Sequence, residues 1–121
     1  MVRTDVDFGK YEFKIHSVKE NKKQLQNNIE KSIQNEKDPR IKELLEKIDF
    51  SHDYVEIIEL CSQAAMIDPE NYVVDMHKGE AYSRFNQNEK AENSFKQAIK
   101  KADGKSDLVF VVYGRFLLDE K

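Results

Sequence analysis

Four side chains in this sequence carry the groups that most often bind metals or attack substrates: His16, His52, His77 and Cys61. A structural metal site needs such ligands at the short spacings that one helical turn or a tight loop brings together. The three histidines stand far apart, and none pairs with Cys61 or a carboxylate at such a spacing, so no metal and no other cofactor is expected. Cys61 falls on the apolar face of a helical pattern, where a free cysteine acts as a small hydrophobe rather than a nucleophile. The carboxylate pairs Glu43 with Glu46 and Glu56 with Glu59 lie three apart among lysines, the pattern of a solvated helix face rather than of an acid and base. Gly9, Gly79, Gly104 and Gly114 are isolated and build no phosphate loop. Lys96, Lys100, Lys101 and Lys105 make one basic helix end, which suits the helix dipole. No acid, base, nucleophile and oxyanion set assembles, so an enzyme is not expected.

The elements that would position these residues are helices. Charged residues make up 36% of the 121 residues and apolar ones 39%, with Gly 4 and Pro 2, a composition that suits amphipathic helices and lacks the turn residues of an all-β domain. A net charge of −3 supplies no general attraction for a phosphate backbone, so nucleic acid is not an expected partner. No run approaches the ~20 apolar residues of a membrane span. With one cysteine and no apolar leader at the N-terminus, a reducing cytoplasmic setting is expected.

Residues 1–16 alternate apolar and polar at Val6, Phe8, Tyr11, Phe13 and Ile15 around Gly9-Lys10, which fits a short β-hairpin or the remnant of a preceding domain. Residues 17–37 are rich in Lys, Asn, Gln and Glu, with Val18, Leu25, Ile29 and Ile33 forming one narrow apolar stripe. This polar amphipathic helix should dock along a neighbour or a partner. Asp38-Pro39 reads as a helix cap with proline at the first position. It opens a helix over Arg40 to Asp49 with Ile41, Leu44, Leu45 and Ile48 on one face, and a second helix follows from about Asp53 to Ile67.

Setting the chain against itself at a shift of 34 residues superimposes Leu45 on Gly79, Ile48 on Tyr82, Ile57 on Ala91, Cys61 on Phe95, Ala64 on Ala98 and Pro69 on Asp103. Gly79 and Ala91 would let the helices of one hairpin cross closely, with Tyr82 and Phe95 filling the wedge toward the next. The second copy, with Gly79-x-x-Tyr82, Ala91-x-x-x-Phe95 and Ala98, resembles the tetratricopeptide repeat. Tyr54 and Asp68-Pro69-Glu70-Asn71 of the first copy fit the same pattern, and Phe110-x-x-Tyr113-Gly114-x-x-Leu117 begins a third. Asp75, Lys78 and Leu45 depart from it, which puts the tightness of the local crossings in doubt. The resemblance covers residues 38–121. It implies an all-α fold of antiparallel helical hairpins stacked as a short right-handed superhelix of two repeats and a final helix.

The same resemblance implies a binding groove lined by the first helices of successive repeats: Lys42, Glu46 and Asp49, then Val73, Met76, His77, Glu80 and Arg84, then Leu108, Val111, Val112 and Arg115. Members of the family that clamp a C-terminal carboxylate use Lys, Asn and Arg at matching positions. Only Lys42 fits, since Glu46, His77, Leu108 and Val112 replace the others, so an acidic chaperone tail is not the expected ligand. The groove suits an amphipathic helix or an apolar extended segment of a protein partner.

Leu108, Val109, Phe110, Val111, Val112, Tyr113, Phe116, Leu117 and Leu118 go nearly all round the helix expected over Ser106 to Leu118. A helix apolar all round is normally buried all round. Either the chain continues with a further helix, or this face pairs with another protein or with a copy of itself as a homodimer; if neither holds, the polar N-terminal segment must fold back over it. The expected function is a scaffold or adaptor module for protein binding. The alternative is a regulatory or sensor domain of a larger enzyme or defence protein.

Overall fold

Asp38 opens its helix as its sequence context requires. Its backbone is extended at φ −84° and ψ 115°, and its carboxylate accepts the Arg40 N–H at 2.9 Å, with Pro39 beginning the helix. The Arg40 guanidinium lies on the same carboxylate at 3.0 Å. That hydrogen bond is the main reason that the Asp38 carboxyl sits below its ordinary range. Asp53 caps the next helix, accepting from Val55 and Glu56 N–H at 3.0 and 3.3 Å. Asn71 caps the one after, accepting from Val73 and Val74 N–H at 3.0 and 3.3 Å. Each cap satisfies N–H groups that a helix start leaves without partners.

The computed structural model describes residues 22–119. The hairpin expected over 1–16 and the start of the polar helix lie outside the described residues. Among the described residues the chain is all-α, with helices α1 (Lys22–Gln34), α2 (Pro39–Phe50), α3 (Tyr54–Ile67), α4 (Tyr72–Arg84), α5 (Asn88–Ala102) and α6 (Leu108–Asp119). Helices α2 with α3 and α4 with α5 form antiparallel hairpins, α3 packs on α4, and α6 packs on both helices of the second hairpin. The turn into α6 is made by Asp103 and Gly104 at φ 49° and 79°, where the Lys105 N–H returns to the Ala102 carbonyl at 2.9 Å. Two successive left-handed residues stop α5, and the second position favours glycine.

Most of the repeated positions are packed, although Pro69 and Asp103 are exposed. Leu45, Ile48, Ile57, Cys61 and Ala64 are buried in the first hairpin, and Gly79, Ala91, Phe95 and Ala98 in the second. Phe95 is fully enclosed between hairpin and final helix, its ring 5.7 Å from that of Tyr113 and 5.2 Å from that of Phe116. Tyr82 is only half-buried, with the Lys90 ammonium 5.7 Å above its ring. Asp75, a departure from the repeat pattern, faces the end of α5, where the Lys101 ammonium approaches it to 2.7 Å and also donates to the Pro69 carbonyl at 2.6 Å. The carboxylate thus sits in the first turn of α4 and the ammonium in the last turn of α5, each at the helix end that its charge favours.

The expectation of an open apolar face on the final helix is corrected. Leu108 to Tyr113 and Phe116 are buried, and only Leu118 stands clear of the surface. The cover comes from α4 and α5, which α6 packs on, together with α1, which packs against both α2 and α6 and adds Leu25, Ile29 and Ile33 to the same core. The ground for expecting a homodimer through Ser106 to Leu118 is thereby removed: the surface that would have paired two copies is used within one chain.

Candidate docking groove

Helix α1 packs against α2 and α6 and lines cavities with residues of α4 and α6 from the expected set. The turn Asn35 to Lys37 reverses the chain, so α1 runs antiparallel to α2. At the far end of α1, Gln26 Nε2 donates to Asp49 Oδ1 at 3.4 Å, near the end of α2. At the turn, Glu36 Oε1 accepts from Asn71 Nδ2 at 2.8 Å, while its Oε2 accepts the Asp38 N–H at 3.1 Å. One carboxylate therefore ties the α1–α2 turn to the start of α4, and Asn71 both caps α4 and holds that tie.

The apolar groove residues are buried: Val73, Met76, Leu108, Val111 and Val112, with exposures of 1–9%. The polar ones form the rim. Lys42, Glu80 and Arg115 are half-buried, and Glu46, Asp49 and Arg84 are exposed. His77, also expected at the groove, is buried, and its Nε2 has no hydrogen-bond partner. Burial pushes the imidazole below its ordinary value of 6.5, and the nearby Glu80 and Asp49 charges act in the opposite sense. Burial in this site disfavours the charged ring.

Helix α1 leaves gaps at both ends of the groove. A cavity of about 270 Å³ gathers Asp49, His77, Glu80 and Arg84 of the expected set, together with Gln26 and Ile29 of α1. A second, of about 710 Å³, gathers Val73, Leu108 and Val111 with Asn28, Lys31 and Ser32 of α1, beside Lys101 and Lys105. Lys42, Glu46, Met76, Val112 and Arg115 border neither. Sequence reasoning had not placed Leu25, Ile29, Gln26 or Glu36 at this site. Leu25 and Ile29 were signalled only by the four-residue spacing of the apolar stripe, which specifies a buried face and not the surface that buries it, and Gln26 and Glu36 carried no signal.

Elsewhere, Cys61 is fully buried, and burial is the largest cause that pushes its thiol up to about 12. Among the described residues no group of three His, Cys, Asp or Glu side chains could hold a metal, and no helix is long and apolar enough to cross a membrane. No protein-family model matches the chain, and neither a curated protein nor a solved structure matches it.

Proposed function

We propose that this chain is a protein-interaction module, a scaffold or adaptor built from tetratricopeptide-like hairpins, whose groove along α2, α4 and α6 receives an amphipathic helix. One observation carries the reading. The groove already accommodates such a helix, because the stripe Leu25, Ile29 and Ile33 is buried with the groove's own apolar residues in one core. Helix-in-groove recognition uses apolar anchors at three- and four-residue spacing against an apolar floor with a polar rim. The floor here is Val73, Met76, Leu108, Val111 and Val112, and the rim is Lys42, Glu46, Asp49, Glu80, Arg84 and Arg115. A buried, protonated cysteine suits the reducing interior of a cell, and binding rather than catalysis is the task proposed.

Affinity capture on the immobilised intact chain, read by mass spectrometry, tests this. Asp49→Lys and Arg84→Glu alter exposed rim charges and should leave the fold intact. A protein retained by the wild type and lost with either variant is the expected result. Retention that neither rim variant changes, or no retained protein at all, overturns the reading.

A further inference from the structure

We infer that α1 is a displaceable strap, standing in the groove in place of a partner's amphipathic helix whose apolar side chains recur every four residues. This rests on the reading of the groove as a docking site and adds its regulation. The imprint of the ligand is α1 itself: Leu25, Ile29 and Ile33 are buried, while the remaining described side chains of the helix are half-buried or exposed.

Three features mark α1 as replaceable rather than built in. It fills the groove incompletely, leaving gaps of about 270 and 710 Å³ at its two ends. At the smaller gap it presents Ile29 and Gln26 to a site where His77 Nε2 is buried without a hydrogen-bond partner. A helix placing a polar side chain there would satisfy a group that α1 leaves unpaired. Gln26 holds α1 to Asp49 through an exposed side-chain bond of 3.4 Å, and a helix of 13 residues is marginal without its neighbours. Because the strap is tethered, it competes at the high effective concentration of an intramolecular ligand, so a partner's apparent affinity falls by the fraction of time that the groove is open.

A labelled peptide with the sequence of residues 22–37 serves as the probe, offered to the full chain carrying Gln26→Cys and Asp49→Cys in a Cys61→Ala background. The open chain should bind it, and joining the two cysteines with a short bismaleimide should weaken binding at least tenfold. Equal binding before and after cross-linking overturns the strap. Hydrogen exchange on the wild-type chain gives a reading free of mutation: α1 amides should exchange at least tenfold faster than those of α4, and equal protection overturns displacement. The double variant Leu25→Asn with Ile29→Asn separates the two ideas. If it melts cooperatively and binds the peptide while the open chain does not, the groove stands and displacement falls. If it melts cooperatively and fails to bind, the groove itself falls. If it does not fold, the exchange and cross-linking results decide.

Discussion

A Cβ added to Gly79 would lie 2.9 Å from Cδ1 and Cε1 of Phe95 and 3.0 Å from its Cζ. The ring cannot step aside, because it is fully buried against Tyr113 and Phe116. Gly79→Leu therefore overpacks the α4–α5 crossing by about 1–3 kcal/mol or more, a fall in melting temperature on the order of 10 °C for a domain of this size. Calorimetry that finds the variant melting within a degree of wild type would remove Gly79 from the crossing. Cys61 makes a second prediction at this scale. With its thiol at about 12, the thiolate is a negligible fraction at pH 8, so iodoacetamide should label the native chain far more slowly than the urea-unfolded chain. Comparable labelling rates would sink the buried assignment, and Cys61→Ala should keep the fold at a modest cost in stability. Gly79, Phe95 and Cys61 were legible in the sequence because repetition marks packing positions. His77 was legible only as a groove residue, since what encloses it comes from distant parts of the chain.

At the scale of the element, starts and stops were readable because they are local: Asp38-Pro39, Asp53 and Asn71 cap the helices that follow them. Where α1 docks was readable only as one alternative, the fold-back over α6, since three apolar side chains on a polar helix fit many surfaces. The strap and His77 share one cavity, which links helix docking to pH. The groups facing the imidazole are Asp49 from α2, His52 and Tyr54 around the α2–α3 turn, Glu80 and Arg84 on α4, and the uncharged Gln26 and Ile29 from α1. A histidine held below its unfolded value of 6.5 binds its proton less well in the folded state. Its contribution to stability is therefore complete above pH ~6.5 and is lost as the pH falls through the folded value. The urea midpoint should drop between pH 7.5 and pH 5.5, and His77→Gln should flatten that drop relative to wild type. An unchanged pH dependence in the variant would show that the imidazole is not held neutral by this site.

Across the whole molecule, two features that look defective alone complete each other. Helix α6 is apolar nearly all round and α1 is almost entirely polar, yet docking one on the other buries Leu108 and Val111 on α6 along with Leu25, Ile29 and Ile33 on α1. A helix apolar nearly all round needs cover on every side; here α1, from the other end of the described chain, supplies part of it. The surplus apolar surface was visible in the sequence, and its cover by the polar N-terminal segment was one of the alternatives the sequence left open; choosing among them required the three-dimensional packing of α1 on α6. This arrangement predicts the oligomeric behaviour. Light scattering at micromolar concentration should give a monomer for the intact chain, because the apolar side chains of α6 other than Leu117 and Leu118 are buried. Leu25→Asn with Ile29→Asn should raise the average mass, since loosening α1 uncovers Leu108 and Val111 and an exposed apolar patch of that kind drives association. Val112→Glu places a charge at a position only 2% exposed, so it should unfold the C-terminal half rather than improve solubility. An intact chain that already scatters as a dimer, with the mass restored to that of a monomer by Val112→Glu without loss of helix, would mean that α6 meets another copy and that α1 does not cover it in solution.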